Sequence, residues 1–384
     1  MRIVHIAPNA PYTDYWGYQD NLLPKYQAKL GHEVWFFAIN IKWENNQQIE
    51  CACGEYTLAD GVHVKRFATK KYPIRIVSHM VAKMDVYESL CRIRPDFIFY
   101  HGLTSITIFQ TIKYVKKINP KCHIVQDNHL DYNIGLKFDS LKLRLVRSYY
   151  RGLNHISQKN ATKVYGVTPW RKTYAEDYFH ISKGKTDVLI MGADDEKIDF
   201  KHRKEIRKDI RNNYGISNDE FLIITGGKID KKKKIDLLMQ AVKGKEKVKL
   251  IVFGKANADF EEEFAQAVND NVIYIGWVKS DQVYNYFFAA DLVIFPGQHS
   301  VLWEQACASK IPCVFEKWDG MEHVDNGGNS IFVSDITVNL LSRTIDSLLF
   351  TEKYYCMKAV AESEKTDIYL YSNIAKKSVE CAKP

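Results

Sequence analysis

The chain alternates short apolar segments with helix-like segments. In its first half, the apolar runs MRIVHIA, GHEVWFFAI, DFIFYHG, HIVQDNH and KVYGVT each end in a polar or glycine-containing turn. Stretches with a helical pattern, such as NLLPKYQAKL and SITIFQTIKYVKKI, lie between them. Strands that alternate with helices form a parallel, doubly wound sheet, whose ligands bind beyond the carboxyl ends of the strands.

The pattern restarts near residue 195, with the apolar runs FLIITGGKI, KLIVFGKA, NVIYIGWV, DLVIFPG and IPCVF. A chain of 384 residues is long enough for two such domains. The sequence therefore predicts an α/β protein with two Rossmann-like, doubly wound domains that face each other across a cleft. We expect domains at 1–192 and 193–356, and a C-terminal helix at 357–384 that crosses back to the first domain.

The N-terminal segment, the lengths of the apolar runs and the cysteines indicate the cellular compartment of the protein. The N-terminal apolar run is too short for a signal peptide, and no segment has the ~20 apolar residues of a membrane span. The eight cysteines are scattered without CxxC pairs. We therefore expect a cytoplasmic protein with free thiols and no bound metal.

Basic residues concentrate in one region. The stretch 64–151 carries seventeen Lys or Arg and six Asp or Glu, within a chain of net charge +8. No recognised nucleic-acid-binding motif is present, so we expect no nucleic acid partner. Two explanations stay open, a solvated surface or a face that contacts anionic membrane or phosphate at the inner side of the plasma membrane.

Part of this basic region resembles a membrane-surface helix. In LKFDSLKLRLVRSYYRGL, four apolar residues fall on one helical face with Lys and Arg around it. They are Leu141, Leu145, Tyr149 and Leu153. The segment KKYPIRIVSHMVAKM is basic as well. A helix that packs on the core with a solvated basic side explains the pattern equally well.

The segment TGGKIDKKKKIDLLMQAV predicts an anion site. Two glycines, ending at Gly227, follow a strand, and a helix begins near Ile235 with its N–H groups facing the same point. Lysines crowd the loop between them, namely Lys228, Lys231, Lys232, Lys233 and Lys234. Ammonium groups there would hold a diphosphate. The alternative is a solvated lysine run at the start of a surface helix.

A second segment, ADLVIFPGQHSVLWEQACASKIPCVF, has a related layout. A strand ends at Pro296, a polar loop with Gln298 and His299 follows, and a helix then starts. We expect the N–H groups of Ser300 and Val301 to face phosphate oxygens and the Glu304 carboxylate to accept from a ribose diol. Alternatively, Glu304 only offsets the helix dipole or is exposed to solvent.

Two histidines follow strands of the first half. His101 ends FYHG, and His129 lies in QDNHLDY between Asp127 and Asp131. Side chains at the carboxyl ends of parallel strands point into the ligand crevice, where they can hydrogen-bond donor or acceptor hydroxyls. The alternative for each histidine is a purely structural role.

Taken in order, these segments resemble the retaining family-4 GT-B glycosyltransferases of bacterial surface-polysaccharide synthesis. That family's second domain reads roughly GRLxxxKGxDLLLxA, LxIxGxG, VxFxGxV and ADxxxxPS…EGFGLxxLEAxAxGxPVV. The matching residues are Gly227, Lys228, Lys233, Ile235, Asp236, Leu237, Leu238, Gly254, Gly276, Val278, Ala290, Asp291, Pro296, Glu304, Ala306 and Pro312. MGADDEKIDF resembles the family's NGVDxxxF.

The resemblance implies a nucleotide-sugar donor, with UDP favoured and GDP next, and a glycan or lipid-linked glycan acceptor on the first domain. It implies that Gly17 lets the backbone approach the donor phosphates, and that the main chain of Trp277 and Val278 reads the base. Lys228 and Lys233 would stabilise the departing diphosphate during same-face transfer, without a metal or other cofactor. His129 would complete the catalytic set, with His101, Asp127 and Asp131 on the acceptor side.

The sequence departs from that family at two positions. Lys228 stands where the family has an arginine, and Pro296 stands where it has the first of two paired glutamates. The sugar contact of that glutamate would fall to Gln298 or His299. Two other functions on this fold stay open, namely a sugar-nucleotide epimerase and an inactive sugar-nucleotide-binding protein.

Overall fold

A computed structural model describes residues 1–45, 47–70, 84–132 and 141–382. The chain divides into two compact units, Met1–Ile190 with Ile374–Pro384, and Met191–Asn373. Most of the basic segment KKYPIRIVSHMVAKM, and the beginning of LKFDSLKLRLVRSYYRGL, lie outside the described residues. Among helices of the described ranges, none combines the length and apolar character that a membrane crossing requires.

The first unit is built on an eight-stranded sheet with the strand order β10-β9-β8-β7-β1-β2-β6-β5. All neighbours pair in parallel except β5 with β6, and β3 and β4 form a separate antiparallel hairpin. The strands are β1 Arg2–Ala7, β2 Glu33–Ile39, β3 Ile41–Glu44, β4 Gln47–Glu50, β5 Gly54–Thr57, β6 His63–Phe67, β7 Phe97–His101, β8 His123–Asn128, β9 Lys163–Gly166 and β10 Thr186–Val188. The five strands expected from the apolar runs are β1, β2, β7, β8 and β9.

Helices connect these strands. They are α1 Gln19–Lys29, α2 Tyr87–Ile93, α3 Ile108–Lys117, α4 Leu141–Asn160 and α5 Pro169–Phe179. The start of α5 shows how sequence sets a boundary, because the Thr168 hydroxyl accepts from the Arg171 N–H and Pro169 occupies the first helical position. Apolar side chains of β1, β7 and β8 pack with those of α2 and α3 in one buried core.

The second unit contains a six-stranded, fully parallel sheet with the order β13-β12-β11-β14-β15-β16. Its strands are β11 Phe221–Ile229, β12 Val248–Ala256, β13 Val272–Gly276, β14 Leu292–Phe295, β15 Cys313–Glu316 and β16 Ser330–Val333. Its helices are α6 Arg203–Asn213, α7 Ile235–Val242, α8 Glu261–Ala267, α9 Val283–Ala289, α10 Leu302–Ala308, α11 Val338–Leu348 and α12 Glu352–Glu362. The predicted α/β class with two Rossmann-like sheets is confirmed.

The C-terminal segment differs from the single helix expected at 357–384. The Thr351 hydroxyl caps α12, which therefore begins before residue 357. Ser363 ends that helix and caps a 3-10 turn at Glu364–Tyr369, and a further helix, α13, spans Tyr371–Ser378. Only Ile374–Pro384 groups with the first unit, so the chain returns to that unit later than the expected boundary at residue 357.

Candidate active site

In the second unit, the carboxyl ends of β11 and β12 meet without side chains between them. A Cβ at Gly254, where φ is +124°, would lie 1.8 Å from the carbonyl oxygen of Gly227. Only glycine permits such an approach of two backbones. The glycines of the sequence motif therefore serve first to bring two strand ends together.

The lysine loop packs against the loop that follows β14. A Cβ at Gly297 would lie 2.3 Å from the carbonyl oxygen of Lys232. The ammonium of Lys233 donates to the carbonyl oxygens of Gln298 and, at 3.4 Å, His299. Burial lowers the pKa of Lys233 to about 8. This lysine thus fixes the loop and carries a charge that titrates close to neutral pH.

The other lysines of the loop are placed differently. Lys228 is 65 % exposed, and its Nζ lies 3.5 Å from the carboxylate of Asp230. Lys234 adopts a left-handed backbone at φ 52° before α7 and pairs with the Glu316 carboxylate. Of Lys228 and Lys233, the two lysines expected to stabilise the diphosphate, Lys228 is therefore the one whose ammonium lies at the surface of the unit.

Glu304 lies inside the second unit, with 0 % of its side chain exposed. Its Oε1 accepts from His299 Nε2 at 2.9 Å and from His323 Nε2 at 2.8 Å. Burial alone would raise the pKa of this carboxyl, but the two imidazoles hold it well below its usual range. Within the described residues, its Oε2 has no hydrogen-bond partner.

This burial changes the interpretation of Glu304. The sequence predicts a carboxylate that accepts from a ribose diol, whereas the structure shows a carboxylate enclosed between two imidazoles. The ribose contact stays a prediction. Trp303, also buried, stacks on Phe315 with ring centroids 4.3 Å apart and contacts His299 edge-on. The arrangement makes Glu304 an internal anion that orients His299.

The remaining donor-side residues lie at loop positions. Ser300 and Val301 directly precede α10, and the Ser300 carbonyl accepts from the Trp303 N–H at 3.0 Å. Trp277, directly after β13, is 74 % exposed, whereas the neighbouring Val278 is buried. Gly17 belongs to the first unit, in the exposed loop between β1 and α1.

In the first unit, His101 is the last residue of β7 and Asp127 is the last but one of the neighbouring strand β8. His101 Nδ1 lies 3.0 Å from Asp127 Oδ2, and His129 Nε2 lies 3.3 Å from the same oxygen. The Gly102 N–H donates to Asp127 Oδ1 at 2.9 Å. Burial would raise the pKa of Asp127, but the two imidazoles hold it well below its usual range. Asp131 instead faces Arg171, whose Nε lies 3.3 Å away.

Sequence reasoning missed three residues of these clusters. His323 lies on a 3-10 turn, nineteen residues after Glu304, and no sequence pattern singles it out. His5 and Gln27 are fully buried, and His5 bridges Gln27 and His101. A histidine inside the otherwise apolar run MRIVHIA was the one available signal for them.

Both clusters group two imidazole nitrogens and one carboxylate oxygen within 4.8 Å, a set that suits a divalent cation. The residues are His101, Asp127 and His129 in the first unit, and His299, Glu304 and His323 in the second. In each, both nitrogens already hydrogen-bond to the carboxylate. Hydrogen bonding accounts for the geometry, so we do not count these residues as metal ligands.

The chain adopts the GT-B fold, as a comparison with solved structures shows. A glycosyltransferase from Rickettsia africae superposes with a TM-score of 0.70 at 15 % identity, over 100 % of this chain and 97 % of the other. HepE from Anabaena, solved in complex with UDP, superposes with a TM-score of 0.67 at 14 % identity, over 99 % of each chain.

The sequence comparisons point to one family. Residues 206–362, within the second unit, match the family model of the glycosyl transferases group 1. An uncharacterized glycosyltransferase from Methanocaldococcus jannaschii is 21 % identical over 345 residues, which is 86 % of each chain.

Proposed function

We propose that this protein is a retaining glycosyltransferase that moves a sugar from a nucleotide-sugar to a glycan or lipid-linked glycan in cell-surface polysaccharide synthesis. The observation that carries the proposal is the packed pair of loops in the second unit, where glycines bring the backbones together beside Lys228 and Lys233. The group 1 family match and the fold support it. A UDP-sugar is the favoured donor, because HepE was solved with UDP and with UDP-glucose.

In this proposal, the two lysines have separate tasks. The exposed ammonium of Lys228 contacts the diphosphate, and Lys233 adds a positive charge while it fixes the loop from behind. Charge that develops on the departing diphosphate is stabilised by both, and the phosphate accepts the proton of the acceptor hydroxyl. The transfer step needs no metal ion. On the first unit, the exposed ring of His129 contacts the acceptor, and the buried groups His101, Asp127 and Asp131 lie behind it.

Nucleotide affinity should depend on pH through Lys233. A bound diphosphate favours the charged lysine, whose pKa is about 8 in the free protein. Affinity for UDP is therefore highest below about pH 8 and falls, by about tenfold, as the pH rises through this value and the charge is lost. Calorimetric titration of UDP, GDP and ADP from about pH 7 to 10 measures this profile.

Two variants serve as controls for the pH profile. Lys233→Arg keeps its charge over the whole range and should bind UDP with a flat profile. Lys232→Ala removes an exposed lysine of the same turn and should keep the wild-type profile. A flat wild-type profile would exclude the role of Lys233. If none of the three nucleotides binds, the transferase proposal is wrong.

Activity assays distinguish a transferase from the two alternative functions. Conversion of the sugar-nucleotide without an acceptor would identify an epimerase, and binding without turnover would identify an inactive binding protein. Transfer to an added glycan acceptor is the result that we expect.

Helix α4 supports the membrane-surface part of the proposal. Its first half exposes Leu141 and Leu145, at 75 % and 66 %, with exposed Arg144 between them. Its second half packs inward, since Leu153 is buried in the core. The core-facing interpretation of this helix applies to its second half, and the membrane-surface interpretation stays open for the exposed first half. We propose that the exposed half contacts an anionic membrane surface.

Vesicle binding tests this contact. The double variant Leu141→Ser and Leu145→Ser should bind vesicles of phosphatidylglycerol and phosphatidylcholine at least tenfold more weakly, because burying each leucine stabilises the bound state by about 1.5–3 kcal/mol. Ile368→Ser removes an exposed apolar residue of the second unit and should leave binding unchanged. Sedimentation with vesicles gives the affinities, and equal binding by wild type and double variant would exclude this helix as the contact.

A further inference from the structure

A buried chain of hydrogen bonds runs through the first unit, from α13 to the carboxyl end of β8. It links Ser378, Gln27, His5, His101 and Asp127. The first three and Asp127 are fully buried, and His101 is 8 % exposed. The donor–acceptor distances along it are 2.9, 2.6, 3.0 and 3.0 Å. Such short contacts in a dry interior fix where each hydrogen lies.

A backbone carbonyl, which can only accept, sets the donor-to-acceptor direction at the first end of this series of hydrogen bonds. The Ser378 hydroxyl donates to the Ala375 carbonyl oxygen at 2.7 Å. Its oxygen therefore accepts from the Gln27 amide NH₂, which turns the Gln27 carbonyl oxygen toward His5. His5 must then donate from Nε2, and when neutral it presents Nδ1 as an acceptor.

The other end of the chain is a carboxylate, which also only accepts. His101 Nε2 meets the acceptor nitrogen of His5, and His101 Nδ1 meets Asp127 Oδ2. His101 must donate in both directions, which only the imidazolium form can do. Neutral imidazoles and an ionised carboxyl would leave the chain one proton short, and imidazole binds that proton more strongly than a carboxylate does.

The charges around the two histidines agree with this assignment. Burial lowers the pKa of His101, but Asp127 and Asp20, at 3.0 and 3.5 Å, raise it above its ordinary value. Burial and the charge of His101 lower the pKa of His5 to about 3. His5 also lies against the ring of Phe99, with centroids 5.2 Å apart. A neutral His5 beside a charged His101 is the stable arrangement.

Asp127 also contacts His129, whose side chain is 41 % exposed. Its Nε2 lies 3.3 Å from Asp127 Oδ2, so Nε2 carries a hydrogen and Nδ1 is the remaining acceptor of the neutral ring. The Asp127 oxygen that pairs with His101 therefore also orients the His129 ring, through Nε2.

We propose that His5 is a positioning residue that keeps His101 doubly protonated, and that the His101–Asp127 ion pair presents His129 Nδ1 as an acceptor for a sugar hydroxyl. The second clause rests on the proposed function, and the protonation of His101 does not. No substrate is needed to test the first clause.

Two variants of His5 test its contacts with His101 and Gln27 one at a time. His5→Asn places an amide oxygen near the position of Nδ1 and retains an acceptor for His101. His5→Gln reaches toward Gln27, the position of Nε2, and removes that acceptor. Both are polar and similar in volume, so they disturb the core to a similar extent, and near-UV circular dichroism checks that both fold.

Ring ¹⁵N spectra of histidine-labelled protein at about pH 8 give the protonation states. In the wild type and in His5→Asn, both ring nitrogens of His101 should be protonated; in His5→Gln, one should lose its proton. His101→Gln assigns the resonances. A neutral His101 in the wild type, or the same spectrum in both His5 variants, would overturn the proposal.

Activity tests the second clause. Transfer by His5→Gln should fall about tenfold while UDP affinity stays within twofold of wild type, and His5→Asn should retain most of the activity. Equal transfer by the two variants overturns the role of His129. Failure of all nucleotides to bind, with His101 doubly protonated, overturns the proposed function alone.

Discussion

Replacing Glu304 by alanine lowers the stability of the second unit by about 3–5 kcal/mol, because two buried imidazoles lose the carboxylate to which both donate. For a unit of this size the loss corresponds to roughly 10 °C in the melting temperature. The pKa of Glu304 is lowered on folding, so this contribution is fully present above about pH 4.3 and is lost as the pH falls toward the folded value. Thermal unfolding near neutral pH measures it.

Two further variants define what the carboxylate contributes. Glu304→Gln keeps the shape and one acceptor oxygen for neutral histidines, so its loss should be smaller than that of alanine. Glu322→Ala removes an exposed carboxylate beside His323 and should change stability by less than about 0.5 kcal/mol. Wild-type melting by Glu304→Ala would mean that the buried triad does not stabilise the unit.

The strands and the fold class could be predicted because they are local. A parallel strand that is buried on both faces is a short apolar run, and its end is marked by glycine or a polar residue. Each of the ten apolar runs used for the prediction is a strand of the structure. The start of α7 near Ile235 was predicted for the same reason, since two glycines and the lysine loop precede it in sequence, although the glycines belong to β11 and not to a turn after it.

The side-chain clusters could be predicted only in part. His101 and Asp127 lie at the carboxyl ends of β7 and β8, and the strand pattern predicts these positions although not that the two strands pair. The partners His5 and His323 reach their clusters through tertiary packing, from a strand interior and from a 3-10 turn. Whether Glu304 faces inward or outward depends on its partners His299 and His323, so the helix pattern does not encode its burial.

The second large effect on stability and UDP binding is expected from a substitution where β11 and β12 approach each other. Alanine at Gly254 would place a Cβ 1.8 Å from the Gly227 carbonyl oxygen and would require φ near +124°, a region that side chains rarely adopt. The strand ends must separate, which costs more than about 3 kcal/mol from strain and lost pairing. Since the lysine loop continues from β11, we expect Gly254→Ala to lose UDP binding by tenfold or more.

A matched glycine distinguishes contact from backbone strain. Gly276 ends β13 with φ +70°, and a Cβ there would meet nothing within 4 Å. Gly276→Ala should therefore cost only the ~1–2 kcal/mol of a left-handed residue and should leave UDP affinity within twofold. If thermal unfolding and UDP titration give the same result for both variants, the close approach at Gly254 is not what shapes the loop. A larger loss at Gly254 in both measurements assigns the loop geometry to the absence of a side chain between the two strand ends.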